Sequence, residues 1–201
     1  MKPLISLAVA IVANVALMQP TVLAQESQNK VTATATNQTI VKRNSKVPFA
    51  EQLSAFENYL GGWTATFDTP PDQPKVVDVT LFEKVLNGKA LRTTHSINDG
   101  AYGGESYVFW NNQTKRLEFH YFTTADFITT GWMEFETPTK FVAYEDVTGE
   151  SQVSQGITKV RSISELAGDS MTVSTSYLKN GEWTKPQMRK YSRTNKPVVF
   201  K

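Results

Sequence analysis

Residues 48–69 constrain this chain more than any other part of its sequence. Within them, large apolar residues recur at spacings of four, three and four: Phe49, Leu53, Phe56 and Leu60. This spacing predicts a short helix with one buried face. Gly61 and Gly62 follow, and glycine commonly ends a helix because it adopts a left-handed backbone without a Cβ penalty. Trp63 then begins an alternating apolar run, which predicts a strand with one buried face.

The composition excludes several classes of function. The chain has no cysteine, which rules out disulfides, thiolate catalysis and thiolate metal sites. Its two histidines, His95 and His120, are too few for a multi-histidine metal centre, so we predict no metal. The net charge is only +2, with basic and acidic residues interleaved. A nucleic-acid partner is not expected, because nucleic-acid binding calls for a concentrated basic face.

Residues 1–24 have the pattern of a secretory signal peptide. Lys2 precedes an apolar stretch over residues 4–17, and small residues at 22–24 form a cleavage site before Gln25. The alternative is a membrane anchor, which needs about 20 apolar residues. Since the apolar run stops before Pro20, we predict a secreted or periplasmic protein with no stable membrane anchor after cleavage.

The rest of the chain divides into a flexible polar leader at 25–47 and one domain at 48–201. The leader has too few large apolar groups to offset the entropy of ordering it. In the domain, turn signals such as Asn87-Gly88 and Asn180-Gly181 separate about ten strands. The predicted strands are 62–69, 75–86, 89–98, 104–111, 115–123, 127–136, 139–147, 156–166, 170–179 and 182–193. Successive short hairpins predict an all-β fold, an up-and-down antiparallel meander barrel preceded by a short N-terminal helix.

The helix, the Gly61-Gly62-Trp63 opening and the meander together resemble the calycin superfamily of lipocalins, fatty-acid-binding proteins and nitrobindin-like barrels. The resemblance implies that Trp63 packs under an arginine of the last strand, Arg189 or Arg193, and closes the barrel. Nitrobindin-like barrels bind haem through a histidine of the last strand. The last predicted strand here has no histidine, so we predict no haem or other cofactor.

Five residues are candidate ligand contacts in the barrel interior. His95 shares one face of its strand with Leu91, Thr93 and Ile97, and this apolar face is expected to point inward. Tyr107, Phe109, Phe119 and Tyr121 belong to the densest aromatic region and are expected to share that inward orientation. The same aromatic residues could equally fill a solid core.

These features predict a non-enzymatic exported barrel that binds a small hydrophobic or amphipathic molecule. We assign no catalytic residue. One alternative is a barrel isomerase, cyclase or hydrolase of a hydrophobic substrate, with His95 or a lumenal glutamate as acid–base. Another is an exported interaction module with a solid core.

Overall fold

A computed structural model describes residues 46–70 and 72–201 of the chain. The predicted signal peptide and nearly all of the predicted leader lie outside these residues. A 3-10 helix, Glu51–Tyr59, comes first. The strands follow as β1 (Gly61–Phe67), β2 (Val76–Val85), β3 (Ala90–Ile97), β4 (Tyr102–Asn111), β5 (Arg116–Thr123), β6 (Ile128–Thr137), β7 (Lys140–Asp146), β8 (Ile157–Ala167), β9 (Ser170–Lys179), β10 (Glu182–Trp183) and β11 (Gln187–Arg193).

The strands form a closed antiparallel barrel. Each strand from β1 to β9 pairs with the next, and β11 pairs with both β9 and β1. The two-residue β10 also pairs with β9, beside β11. The predicted last strand, 182–193, is therefore interrupted near Pro186, which has no N–H to donate to the sheet. Counting β10 and β11 as one broken strand, the barrel has ten strands, which confirms the predicted meander.

A short α-helix, Glu150–Val153, lies in the connection between β7 and β8 and was not predicted from the sequence. The predicted N-terminal helix is confirmed, but its pitch differs. Its buried residues are Leu53, Phe56 and Tyr59, three apart, which is the repeat of a 3-10 helix. Tyr59 therefore takes the buried position that the sequence pattern gave to Leu60.

The 3-10 helix plugs one end of the barrel, called here the helix end. The ring of Phe56 lies 4.8 Å from that of Phe135 and 5.5 Å from that of Phe141, measured between centroids. The Tyr59 hydroxyl donates to the Thr139 carbonyl at 2.7 Å. Burial of these aromatic rings closes the helix end, and the opposite end is called the far end.

Arg193 joins the helix to the first and last strands. Its guanidinium lies 3.7 Å from the centroid of the Trp63 ring and donates to the carbonyls of Leu60, at 2.5 Å, and Asn58, at 2.9 Å. These are carbonyls at the end of the helix, which have no partner within it. The Trp63 indole N–H in turn donates to the Tyr59 carbonyl at 2.8 Å.

Arg189, the other candidate for this contact, lies toward the far end. Its guanidinium lies 4.4 Å from the centroid of the Phe67 ring. The structure therefore places Arg193, and not Arg189, on Trp63.

We expect Arg193→Met to lower the free energy of unfolding by roughly 2 kcal/mol, because it removes a cation–π contact and two charged hydrogen bonds. The matched control Arg189→Met removes a cation–π contact and a long, partly exposed hydrogen bond to Gln187, and is expected to cost about 1 kcal/mol. Urea denaturation of both variants measures the difference. Equal midpoints for the two variants would show that the helix carbonyl contacts do not stabilise the barrel.

Candidate functional site

A chain of polar side chains crosses the interior of the barrel, the lumen. His95 Nδ1 lies 3.2 Å from Asp78 Oδ1, and His95 Nε2 lies 2.8 Å from the Tyr121 hydroxyl. The Tyr121 hydroxyl is 3.0 Å from that of Tyr102. On the other side of Asp78, the Tyr191 hydroxyl donates to Oδ2 at 2.9 Å. These five side chains are buried, and they come from strands β2, β3, β4, β5 and β11.

The direction of these hydrogen bonds follows from the phenols of Tyr121 and Tyr191. Burial raises the pKa of Tyr121 and of Tyr191 well above the ordinary value, so both keep their hydrogens. We assign the His95 tautomer from the network. Nδ1–H donates to Asp78, and Nε2 accepts from Tyr121. The result is a linear relay from tyrosine through histidine to aspartate.

Two glycines make room for the aromatic rings of β5. A Cβ on Gly104 would lie 2.5 Å from the Tyr121 ring, and a Cβ on Gly131 would lie 2.4 Å from the Phe119 ring. The Tyr121 ring therefore passes over Gly104, which pairs with His95 in the sheet. Glycine at these positions allows the ring-to-backbone contact that brings Tyr121 to His95.

Glu145 is a buried carboxyl in the same lumen, only 2% exposed. Thr129 donates to its Oε1 at 2.7 Å. Burial raises the pKa of Glu145 from 4.5 to about 8, an effect that the Thr129 hydrogen bond opposes and the nearby Asp146 reinforces. Near neutral pH the side chain is therefore a neutral carboxylic acid.

Two lumen atoms have no hydrogen-bond partner among the described residues: Glu145 Oε2 and Ser106 Oγ. They lie on either side of Tyr121. Ser106 on β4 and Thr129 on β6 both pair with Tyr121 in the sheet, and Thr129 holds the Glu145 carboxyl. Buried polar groups in folded proteins nearly always have a protein or water partner, so these two groups in one region of the lumen call for an explanation.

The structure corrects the expected orientation of Tyr107 and Phe109. Both point to the outer face, because the inward residues of β4 are the alternate ones, such as Ser106 and Val108. The Phe109 ring stacks on that of His120 outside the barrel, 6.0 Å apart at 11°. The physical reason is size. The large rings of β5 fill the lumen here, and small inward residues on β4 face them.

Tyr107 instead lines a groove of about 370 Å³ on the outer surface. Its hydroxyl donates to Glu105 at 3.4 Å. Phe200, near the C-terminus, also lines the groove and lies against Gly103, where a Cβ would approach its ring to 2.8 Å. The C-terminal segment therefore packs on the outside of β4.

Of the five candidate ligand residues, the structure brings His95, Phe119 and Tyr121 together in the lumen. Asp78 and Glu145 form part of the same lumen and were not predicted from the sequence. Strand alternation could have found both. Asp78 lies two residues from Val76 and from Thr80, so the three share the inward face of β2. Glu145 shares the inward face of β7 with Phe141 and Ala143 in the same way.

Across the described ranges, no group of three or more histidine, cysteine or acidic side chains is arranged to hold a metal ion. No described helix has the length and apolar character needed to cross a membrane.

Comparisons with known proteins give a fold and no family. No family model and no curated protein matches the chain. Among solved structures, the chain is similar to the crystal structure of Rv2717c from M. tuberculosis, with a TM-score of 0.54 and 15% sequence identity. The match covers 73% of this chain and 99% of that one. At this identity the similarity concerns the barrel fold alone.

The buried Glu145 carboxyl predicts a stability that falls with pH. The unfolded chain releases this proton near pH 4.5 and the folded protein only near pH 8. Glu145 therefore contributes most stability at low pH and loses it between these values, by up to ~1.4 kcal/mol per pH unit. Glu145→Gln should remove this slope, whereas Glu134→Gln on the exposed outer face should keep it. Urea denaturation at several pH values measures both. Parallel pH profiles for wild type and Glu145→Gln would contradict a neutral Glu145.

Proposed function

We propose that this protein is an exported, non-enzymatic barrel that binds a small amphipathic molecule in its lumen. The observation that carries the proposal is the pair of buried lumen atoms without a partner, Ser106 Oγ and Glu145 Oε2. Leaving such groups unpaired costs about 1–3 kcal/mol each. A ligand that supplies a hydrogen-bonding group between them would recover that cost.

The surroundings favour a ligand with an apolar body. Phe119, Tyr121 and Met133 are buried inward residues near the two unpaired atoms. Binding sites for small molecules typically combine such apolar walls with a few placed polar groups. The helix blocks one end of the barrel, so the ligand would enter through the far end.

We also propose that the barrel is of the calycin type and that it is exported. The contact of Arg193 with Trp63 supports the first part, since an arginine of the last strand covering a tryptophan of the first is what the resemblance implies. The signal-peptide pattern of residues 1–24 supports the second.

A second candidate is acid–base catalysis in the same lumen. The relay of Tyr121, His95 and Asp78 favours it, because a histidine held by an aspartate can exchange a proton through the phenol. Chemical change of a bound ligand on incubation with the protein would favour this candidate over a carrier.

The test is the binding of a neutral lipophilic dye such as Nile red, followed by fluorescence. We expect saturable binding to wild type and a loss of roughly tenfold or more in Ser106→Leu, whose larger side chain would occupy the site. Ser174→Leu is the matched control, because Ser174 faces outward on β9.

Circular dichroism would check that both variants fold, with the smaller Ser106→Val as a substitute if Ser106→Leu does not. Absence of saturable binding by wild type, or equal loss in the two serine variants, would contradict lumen binding.

A further inference from the structure

The two unpaired lumen groups are both hydrogen-bond donors. Glu145 is buried, and the described groups that affect its pKa are Thr129 and Asp146, neither of which is a cation that would hold it as a carboxylate. When Oε1 accepts from Thr129, the acid proton lies on Oε2, which has no partner among the described residues. Ser106 adds a hydroxyl, which can also donate.

Resting on the proposed lumen binding, we propose that this site recognises a neutral carbonyl oxygen, as in an ester or a ketone, and discriminates against a carboxylate. A carbonyl oxygen accepts hydrogen bonds and donates none, so it can pair with either donor. Ser106 on β4 and Glu145 on β7 lie on opposite sides of Tyr121, so a carbonyl at the level of Tyr121 has a donor on each side of the ring.

Among the described residues, no cation acts on the Glu145 carboxyl. Burying an unpaired anion is far more costly than burying a neutral carbonyl. His95 uses both ring nitrogens on Asp78 and Tyr121. Arg189 shares the inward face of β11 with Tyr191 and acts on that phenol, but it lies toward the far end, against Phe67, and not at Glu145.

The charge of the far end acts in the same direction. Each of the first four connections there carries one more acidic than basic residue: Asp68 and Asp72 against Lys75, then Asp99, Asp126 and Glu150. The fifth connection, 180–186, is balanced by Glu182 and Lys185, and Lys201 packs on Gly100 beside Asp99. The remaining excess of negative charge lowers the local concentration of anions only weakly. A neutral amphiphile meets no such barrier.

The experiment compares three competitors that share an alkyl chain: methyl laurate, laurate and dodecane. Each is titrated against Nile red bound to the full mature protein at about pH 6.5. We expect methyl laurate to bind about tenfold or more tightly than the other two, the effect of one or two hydrogen bonds. Equal affinities for methyl laurate, laurate and dodecane would overturn the proposed recognition of a carbonyl oxygen. Saturable binding of the dye would still support the proposed function. A failure of dye binding would overturn both.

Laurate binding tighter than methyl laurate would also overturn the proposal, and Arg189→Met would then identify the competing site. Loss of laurate binding in that variant would assign carboxylate recognition to Arg189.

The pH dependence supplies a second readout. The titratable groups that face Glu145 are Tyr121 from β5 and, in register beyond Val160, Tyr177 from β9, with Asp146 next to it on β7. Near the far end, His95 and Asp78 lie on the opposite side of Tyr121. Because several titratable groups surround the site, the pH dependence of binding by wild type does not identify Glu145. The comparison of variants does.

At about pH 9.5 Glu145 is ionised and no longer donates, so wild type should lose roughly tenfold in affinity for methyl laurate. Glu145→Gln keeps an N–H donor at every pH and should keep its affinity. The control Glu134→Gln, on the exposed outer face, should behave as wild type. The same pH-dependent loss in Glu145→Gln would overturn the role of Glu145 as donor.

Discussion

The contact of Arg193 with Trp63 is the interaction on which the rest of the structure depends. The pairing of Trp63 with Arg193 joins the first strand to the last and closes the sheet. The same guanidinium donates hydrogen bonds to two carbonyls at the end of the 3-10 helix. Since a closed sheet has no edge strands, this one residue stabilises the closure and the plug together.

Closure of the helix end makes the lumen a low-dielectric space, and this determines the chemistry of its polar groups. The phenols of Tyr121 and Tyr191 stay protonated, and the Glu145 carboxyl is neutral at pH 7. Small residues on β4 and glycine on β6 admit the large rings of β5. Ring packing therefore fills part of the lumen and leaves Ser106 and Glu145 without partners beside it.

The sequence predicted the meander well and the site only in part. Turn residues that require positive φ, as at Asn180-Gly181, mark strand ends through local chemistry alone. Inward orientation follows from alternation, which placed His95, Phe119 and Tyr121 in the lumen, whereas Tyr107 and Phe109 were assigned to the wrong face. Aromatic content is a poor guide to orientation, because rings also cover the outside of a sheet. Contacts between distant strands, such as that of Tyr191 with Asp78, depend on closure and cannot be read from local pattern.

Native mass spectrometry of the protein purified from its own export pathway would detect a ligand held in the lumen. We expect a chain that begins at Gln25 and carries one neutral amphipathic molecule, released on gentle activation. The Ser106→Leu protein should carry none. A bare mature chain from the same gentle preparation, or the same bound mass in both proteins, would contradict a ligand held between Ser106 and Glu145.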